Sequence, residues 1–532
     1  MRSRLWPLWG LLLLMPFATR ADSPPLAPTP RIVIVGGGPS PEHNQVAIES
    51  NVRYVRKLLP PGAVRTTLFA DGDAARETVL YEEEAKPLSE GERVFGLLTK
   101  GSEGGSAATL HYRKPNLGGA LDGASRRADL TRVFTQLQQE ANGTTANRPL
   151  FLYFTGHGSP DEGDRENNAY DLWGKDERLS VRDLAAQIAR LPASVPVTLV
   201  MVQCFSGAFG NLIFEGGDPK GKVIDRDIAG FFATIKERPA AGCTPEVNEA
   251  EYHDFTSYFF AALTGRDRVG RRVTGADYNG DGRVGMDEAY CYALANDESI
   301  DIPVCTSDVF LRRFVTRKDA ALFQARYSEA RSWATPAQRM ALDALSTRLK
   351  LSGEDRLSVA YNREFRDEGE DGAGQKSAVR RAARRFETAR QEGWQQITAR
   401  WPDLRREGTP EYERAKKEAI ALLNRQAGEG KWDDLLDAET ALGRAMEAQY
   451  TAELAESRLL RFIRLAKSVI LAHTLRETGE PAIKARFERL IEAEGRTPLP
   501  PADLAQGTAQ PAPVGEYALT TSVAKYTDSG CR

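Results

Sequence analysis

The sequence predicts an α/β protein with a mostly parallel β-sheet, followed by a region made almost entirely of α-helix. Two apolar runs, "RPLFLYFTGHGS" (148–159) and "VPVTLVMVQC" (195–204), have the composition of buried strands. Between them, "LSVRDLAAQIARL" (179–191) carries apolar residues at helical spacing. Strand, helix and strand with short connections form a βαβ unit, and such units build parallel sheets. From about residue 316 the chain is instead rich in Ala, Arg, Glu and Leu at helical spacing.

The segments around this unit extend the same alternation. Apolar runs that end at glycines or polar residues predict further strands, and runs with helical spacing predict helices. The predicted strands are 31–38, 64–71, 108–114 and 228–237, and the predicted helices are 42–59 and 252–265.

Length and composition limit the kind of protein. The chain has 532 residues, too many for one compact core, so we expect two or three domains. Hydrophobic residues make up 41% and charged residues 27%, which is typical of a folded protein. Lys and Arg number 71 against 74 Asp and Glu. Since nucleic-acid-binding proteins usually carry a basic excess, we expect no nucleic-acid partner.

The N-terminus has the layout of a secretory signal peptide. Arg2 and Arg4 precede a largely apolar core of 13 residues (5–17), and small residues follow up to Ala21. This core is short for a membrane span, and no later segment is apolar enough to form one. We therefore expect cleavage after residues 1–21 and a secreted or periplasmic protein without a stable membrane span. An uncleaved anchor is the alternative.

Composition divides the rest of the chain. Residues 22–30 are a Pro-rich linker, and 31–315 carry the α/β pattern. Residues 316–497 are predicted to form a helical bundle or an antiparallel coiled coil, which offers a docking surface for a protein partner. Residues 498–532 are Pro-rich and predicted to be disordered.

Two predicted strand ends carry reactive side chains. One strand ends at "TGHGS", which places His157, and the next ends at "QCFSG", which places Cys204. Sites in open α/β sheets form at the carboxyl ends of strands, and neighbouring strands lie about 5 Å apart. A thiolate is a nucleophile, a nearby His can take its proton, and the backbone N–H groups of Gly158 and Cys204 can stabilise an oxyanion. The alternative is that Cys204 is a small buried hydrophobe.

Together these motifs resemble those of the caspase-like cysteine peptidases, which include caspases, metacaspases and legumain-type enzymes. In that group one strand ends in His-Gly and a later strand ends in the nucleophilic Cys. Here the two residues are 204 − 157 = 47 positions apart, close to the usual spacing of about 50. The resemblance covers roughly residues 30–315. It implies a caspase-like α/β/α sandwich and a cysteine endopeptidase that acts through a thioester acyl-enzyme. The caspase signature Gln-Ala-Cys-x-Gly is replaced by Val-Gln-Cys-Phe-Ser-Gly.

The resemblance also implies roles for residues around this pair. Legumain-type enzymes have an Asn after the first strand that orients the catalytic His, and Asn44 lies in a comparable place after a loop of different length. A capping or loop Asn is the alternative. Members of the fold prefer Asp, Asn, Arg or Lys before the cut. A pocket selecting a basic side chain has four candidate acidic residues, which are otherwise solvated loop charges: Asp161, Glu162, Asp164 and Asp171.

The segment "DYNGDGRVGMDE" (277–288) matches the twelve-residue EF-hand calcium loop. Oxygen ligands stand at the expected positions, and Gly282 allows the sharp turn at position 6. The predicted ligands are Asp277, Asn279, Asp281, Arg283 through its carbonyl, and Glu288. The preceding segment does not look helical, which predicts a half hand with one structural or regulatory Ca²⁺. An acidic turn without metal is the alternative.

The five cysteines also bear on the compartment. In an oxidising compartment most cysteines pair, so with Cys204 kept free we expect a disulfide among Cys243, Cys291, Cys305 and Cys531. The sequence does not choose the pair.

Two other functions stay open beside an endopeptidase. One is a catalytically silent scaffold whose helical region holds a protein partner. The other is a cysteine hydrolase of a non-peptide amide or ester, because the dyad fixes acyl transfer and not the substrate.

Overall fold

The computed structural model describes residues 29–59, 63–83, 87–102, 109–143, 148–316, 318–367 and 371–497. The predicted signal peptide, most of the predicted linker and the predicted C-terminal tail lie outside the described residues. Within the described part of the chain, no helix is long and apolar enough to cross a membrane.

The predicted fold class is confirmed, since a mostly parallel sheet is followed by a largely helical region. The strands are β1 (Arg31–Gly37), β2 (Val64–Phe69), β3 (Val79–Glu83), β4 (Thr109–Arg113), β5 (Leu150–Gly156), β6 (Gly158–Ser159), β7 (Ala169–Asp171), β8 (Arg178–Ser180), β9 (Val197–Met201), β10 (Ile228–Phe232) and β11 (Val304–Cys305). The helices are α1 (Val46–Leu58), α2 (Glu90–Lys100), α3 (Arg127–Gly143), α4 (Val181–Ala189), α5 (Phe255–Thr264), α6 (Met286–Asn296), α7 (Thr306–Phe314), α8 (Asp319–Leu322), α9 (Tyr327–Trp333), α10 (Pro336–Arg348), α11 (Arg356–Asp367), α12 (Asp371–Arg400), α13 (Pro410–Ala427), α14 (Asp433–Thr478) and α15 (Pro481–Glu494).

The main sheet has six strands in the order β11-β10-β9-β5-β1-β2. Neighbouring strands from β10 to β2 pair in parallel, and β11 pairs with β10 in antiparallel. Strand β5 lies between β1 and β9, and all seven of its residues are buried. Since a central parallel strand is covered on both faces, it shows a continuous apolar run instead of an alternating one. This explains why "LFLYF" was readable as a strand.

The helical region shares its hydrophobic core with the sheet. Leu342 of α10, Phe462 of α14 and Phe487 of α15 belong to the same buried cluster as Phe154 of β5. The change in composition near residue 316 is therefore not accompanied by a break between two separate cores.

A second buried cluster joins the two regions again. Val94 and Leu98 of α2 pack with Leu423 of α13 and with Trp432 and Leu435 at the start of α14. Helix α14 runs unbroken for 46 residues, so its first part contributes to this cluster and its last part to the core beneath the sheet.

The last residue of helix α15, Glu494, contacts the α/β region through its buried carboxylate. Glu494 is 3% exposed, and its Oε1 accepts hydrogen bonds from the hydroxyl of Thr306 (2.7 Å) and the N–H of Ser307 (2.6 Å). Both donors lie at the N-terminus of α7. Burial raises the pKa of Glu494 to about 7.

We predict that the Glu494→Gln protein loses less stability than the natural protein as the pH rises from 5 to 8. Above the ordinary Glu pKa of 4.5 the unfolded chain gives up this proton, while the folded protein keeps it up to about pH 7. The free energy of unfolding therefore falls as the pH rises through this window, by about 2–3 kcal/mol between pH 5 and pH 8. A Gln side chain keeps an acceptor oxygen and does not ionise.

Urea unfolding of both proteins at pH 5 and pH 8 measures this difference. Glu492→Gln, at an exposed position of the same helix, is the control and should leave the pH dependence as it is. An equal loss of stability in Glu494→Gln and the natural protein would contradict the prediction.

Candidate active site

The register of the sheet brings His157 and Cys204 to the same height. Phe154 of β5 pairs with Met201 of β9, and both reactive residues lie three positions further along, at 154 + 3 and 201 + 3. The turn after β5 therefore lies beside the turn after β9. A methyl group built on Gly158 would lie 2.3 Å from the carbonyl oxygen of Cys204, so only glycine lets the two turns approach so closely.

The ring of His157 is held by groups near the start of α1. His157 is 1% exposed, and its Nε2 lies 2.9 Å from Oε1 of Gln45. The ring also makes an edge contact with the ring of His43, with centroids 5.8 Å apart. An amide oxygen only accepts hydrogen bonds, so this contact favours the form of the ring that carries a proton on Nε2.

Asn44, which the resemblance implies as the partner of His157, makes its hydrogen bonds elsewhere, and Gln45 contacts His157 instead. The Oδ1 of Asn44 accepts the N–H of Gly38 (3.2 Å), and its Nδ2 donates to the carbonyl of Thr78 (2.9 Å). Asn44 therefore shapes the loop after β1, as its alternative role predicted. Gln45 stands at the N-cap of α1 without capping it through its side chain, which leaves the amide oriented towards His157. The sequence signal that could have pointed to Gln45 is its position as a polar residue directly before the apolar face of a predicted helix.

Cys204 lies in a strained turn. The next residue, Phe205, has φ +59°, a left-handed conformation that costs a non-glycine residue on the order of 1 kcal/mol or more. Its N–H donates to the carbonyl of Arg238 (3.0 Å), and its own carbonyl accepts from the side-chain amide of Asn168 (3.4 Å). A 3₁₀ helix, Ser206–Ile213, follows. The surrounding bonds therefore hold Cys204 in a fixed position.

Residues 238–243, which we call the covering segment, lie over the sulfur of Cys204. Cys204 is 1% exposed, and its Sγ accepts the N–H of Ala240 at 3.2 Å. At the other end of the covering segment, Cys243 donates its thiol to the carbonyl of Gly156 at 3.6 Å. A substrate carbonyl can reach Sγ only after this segment shifts.

Two cavities lie away from the candidate site. One of about 370 Å³ is lined by Arg312 and Lys467 among others, and one of about 540 Å³ by Arg444 and Glu447 among others.

Asp171 differs from the other acidic candidates by its contact with the site. Both of its carboxylate oxygens accept the hydroxyl of Ser159 (2.8 and 2.7 Å), and its charge interacts with His157 and His43. Burial raises the pKa of Asp171. The other three are engaged within their own loop or with nearby arginines: Asp161, Glu162 and Asp164.

The expected disulfide is not formed among the described cysteines. Cys204, Cys243, Cys291 and Cys305 are all free thiols, and Cys531 lies outside the described residues. Cys291 and Cys305 are buried, which raises the pKa of both thiols, and Cys305 contacts the hydroxyl of Ser307 at 3.2 Å.

The 277–288 loop folds as the sequence predicts up to its last residue. The carboxylate of Asp277 accepts N–H groups of Gly280 (2.8 Å) and Gly282 (3.0 Å), whereas Asn279 and Asp281 each accept one loop N–H (2.8 and 2.9 Å). Gly282 has φ +82°, as the sharp turn requires. The loop leads into α6 and no helix precedes it directly, so it is a half hand.

The final predicted ligand, Glu288, is turned towards the backbone. Its Oε1 accepts the N–H groups of Tyr278 and Asn279, and its Oε2 accepts that of Gly285, all at 2.9 Å. Burial raises the pKa of Glu288. Among the described residues, no group of three or more His, Cys, Asp or Glu side chains is placed to hold a metal ion. In this conformation Glu288 is bound to three backbone N–H groups, so it must exchange them for the ion to serve as a calcium ligand.

Comparison with known proteins does not assign the chain to a family. No family model and no curated protein matches the chain. Among solved structures, the chain is similar to the crystal structure of protein GSU0716 from Geobacter sulfurreducens, with a TM-score of 0.29 and 14% identity over 52% of this chain and 92% of that chain. A likeness this distant identifies no family.

We predict that Gln45→Glu raises the pH midpoint of the His157 titration by about one unit or more. A carboxylate in place of the amide oxygen stabilises the imidazolium ion, because an adjacent opposite charge favours the protonated form. NMR of the ring resonances of ¹³C-labelled histidine measures the midpoint, and the spectrum of His157→Gln assigns the signal. Gln187→Glu on α4 is the control. An unmoved His157 midpoint in a folded Gln45→Glu protein would exclude the contact.

Proposed function

We propose that this protein is a cysteine endopeptidase in which Cys204 is the nucleophile and His157 the general base. The observation that supports the proposal is the register of β5 and β9, since His157 and Cys204 each follow the pair Phe154–Met201 by three positions. Gly158 supports it, since its lack of a side chain lets the two turns touch.

The proposed reaction uses groups of this chain alone. His157 takes the thiol proton of Cys204 on Nδ1, and the thiolate attacks the carbonyl carbon of the scissile peptide bond. The oxyanion is stabilised by the backbone N–H groups of Gly158 and Cys204. The C–N bond then breaks, and the leaving amine takes the proton from His157. A water, deprotonated by His157, hydrolyses the thioester and frees the thiol.

The acidic residue beside the pair supports a preference for substrates with Arg or Lys before the cut. Asp171 is half-buried, pairs with Arg178 at 3.6 Å, and interacts with the charge of His157. A cationic side chain entering beside the dyad would compete with Arg178 for this carboxylate. The Ser159 hydroxyl holds the carboxylate in place.

Two further parts of the proposal rest on the sequence. The layout of residues 1–21 supports a secreted or periplasmic location. The charged faces of the helical region are the proposed binding surface for a protein partner.

A catalytically silent scaffold is the second candidate function. The burial of both Cys204 and His157, each 1% exposed, favours it, since a peptidase must admit its substrate to the thiol. A hydrolase of a non-peptide amide or ester uses the same dyad and differs from the first proposal only in its substrate.

We predict that acyloxymethyl-ketone probes carrying Arg or Lys label the protein and that Cys204→Ala abolishes this labelling. His157→Ala should slow it by a factor of about 10² or more, since it removes the base. Mass spectrometry of the labelled peptides measures both effects. Cys243→Ala is the matched control, because this thiol lies near the site but outside the proposed reaction.

Labelling that survives in Cys204→Ala would contradict the proposed nucleophile. No labelling by Arg, Lys, Asp or Asn probes of a folded protein would favour the silent scaffold. Labelling by Asp or Asn probes alone would contradict the role of Asp171, which Asp171→Asn tests directly through the loss of Arg and Lys labelling.

We predict that the 277–288 loop binds one Ca²⁺ in the full chain and raises its melting temperature. Binding requires Glu288 to exchange its three backbone N–H partners for the ion, so the affinity should be modest. Calorimetric titration with Ca²⁺ gives the stoichiometry, and Asp277→Asn should remove the heat. Asp267→Asn, in a neighbouring loop, is the control. A natural protein that shows neither heat nor a shift in melting with millimolar Ca²⁺ would exclude the site.

A further inference from the structure

We propose that Arg461 of α14 and Asp301 form a latch that keeps the covering segment closed over Cys204. The helical region would thereby control access to the thiol. The latch concerns access to the thiol alone, and its importance for catalysis rests on the proposed function.

The covering segment touches the candidate site at several points. The N–H of Ala240 donates to Sγ of Cys204 at 3.2 Å, and the carbonyl of Arg238 accepts the N–H of Phe205 at 3.0 Å. Since Cys204 is 1% exposed, an incoming carbonyl group finds the sulfur covered. Opening therefore means moving Ala240 away from Cys204.

Asp301 pins the covering segment at the residue next to Ala240. Its Oδ1 accepts the N–H of Ala241 at 2.7 Å, and its Oδ2 accepts the N–H of Phe255 at the start of α5 at 3.0 Å. Asp301 is fully buried. Burial raises the pKa of Asp301, and in either protonation state the carboxyl group can accept both N–H groups without competition from water.

Arg461 holds the turn that carries Asp301. Its guanidinium donates to the carbonyls of Asp297 (2.5 Å), Ser299 (2.7 Å) and Asp301 (2.6 Å), and it lies 3.7 Å from the carboxylate of Asp297. Arg461 is 1% exposed. The planar fork of arginine donates to several acceptors at once, which an ammonium group does less well.

The other contacts between α14 and these segments include one neutral hydrogen bond, from the hydroxyl of Ser457 to the carbonyl of Ile300 (3.0 Å). Arg238 pairs with Glu456 at 2.9 Å, and Arg458 pairs with Glu298, but both pairs are partly exposed to water. Exposed ion pairs contribute little to stability. The chain Arg461, Asp301, Ala241 is therefore the connection whose loss should free the covering segment.

Alkylation of Cys204 tests the latch without requiring any enzymatic activity. The full chain is treated with iodoacetamide, and modification of Cys204 is followed by peptide mass spectrometry. Arg461→Met should raise the alkylation rate at least tenfold, and Arg461→Lys and Asp301→Asn should raise it by smaller factors. Hydrogen exchange should accelerate in residues 238–243, whereas β5 stays protected.

Arg458→Met is the matched control, because it breaks a contact of the same helix with the same turn and leaves Arg461 in place. Its alkylation rate should equal that of the natural protein. Should Arg461→Met fail to fold, the two milder variants decide. A parental alkylation rate in folded Arg461→Lys and Asp301→Asn proteins overturns the latch, whatever the exchange rates show.

The outcome separates the latch from the proposed function. If probe labelling survives in Cys204→Ala, the proposed nucleophile is contradicted. The alkylation rates of Cys204 in the Arg461 and Asp301 variants still report whether its thiol is latched. If both hold, Arg461→Lys should cleave peptides faster than the natural protein.

Discussion

The adjacency of β5 and β9 is the constraint on which the candidate site depends. Parallel strands lie about 5 Å apart, and a shift of register by one residue turns every side chain to the other face of the sheet. The pairing of Phe154 with Met201 is fixed by apolar side chains that are buried on both strands. Because the register is fixed in the core, the positions of His157 and Cys204 beyond it are fixed as well.

The surroundings of this pair come from distant parts of the chain. Gln45 reaches His157 from the start of α1, the covering segment follows β10, and Arg461 belongs to the helical region. Three segments from distant parts of the chain therefore surround the candidate site at the carboxyl edge of the sheet. The helical region is part of its construction, since the same buried cluster runs from Phe154 to Phe487.

Sequence patterns predicted those parts of the structure that depend on interactions between residues close together in the chain. The strands and helices follow from apolar periodicity, and the turns of the 277–288 loop follow from its Asp, Asn and Gly residues. The adjacency of the turns that carry His157 and Cys204 was predictable because consecutive strands of a βαβ unit usually neighbour each other. Asn44 was assigned the place of Gln45 because a one-residue difference in a loop cannot be resolved without knowing where its hydrogen bonds go.

Long-range contacts were beyond the reach of the sequence. The burial of Cys204 depends on Ala240 and, through Asp301, on Arg461, and neither spacing nor composition links these positions. The hydrogen bonds of Glu288 to backbone N–H groups of its own loop were not predictable from the loop pattern either. The core that α10, α14 and α15 share with the sheet follows from packing that composition does not encode.

The shared core also has a consequence for the order in which the protein is made. Synthesis begins at the N-terminus, so the sheet and Cys204 leave the ribosome well before Phe462 and Phe487, which complete the core beneath them. Until those last helices emerge, the nascent chain lacks the side chains that complete this core. Maturation of this protein is therefore a late event, and a chain cut short after the sheet would be the form most in need of a chaperone.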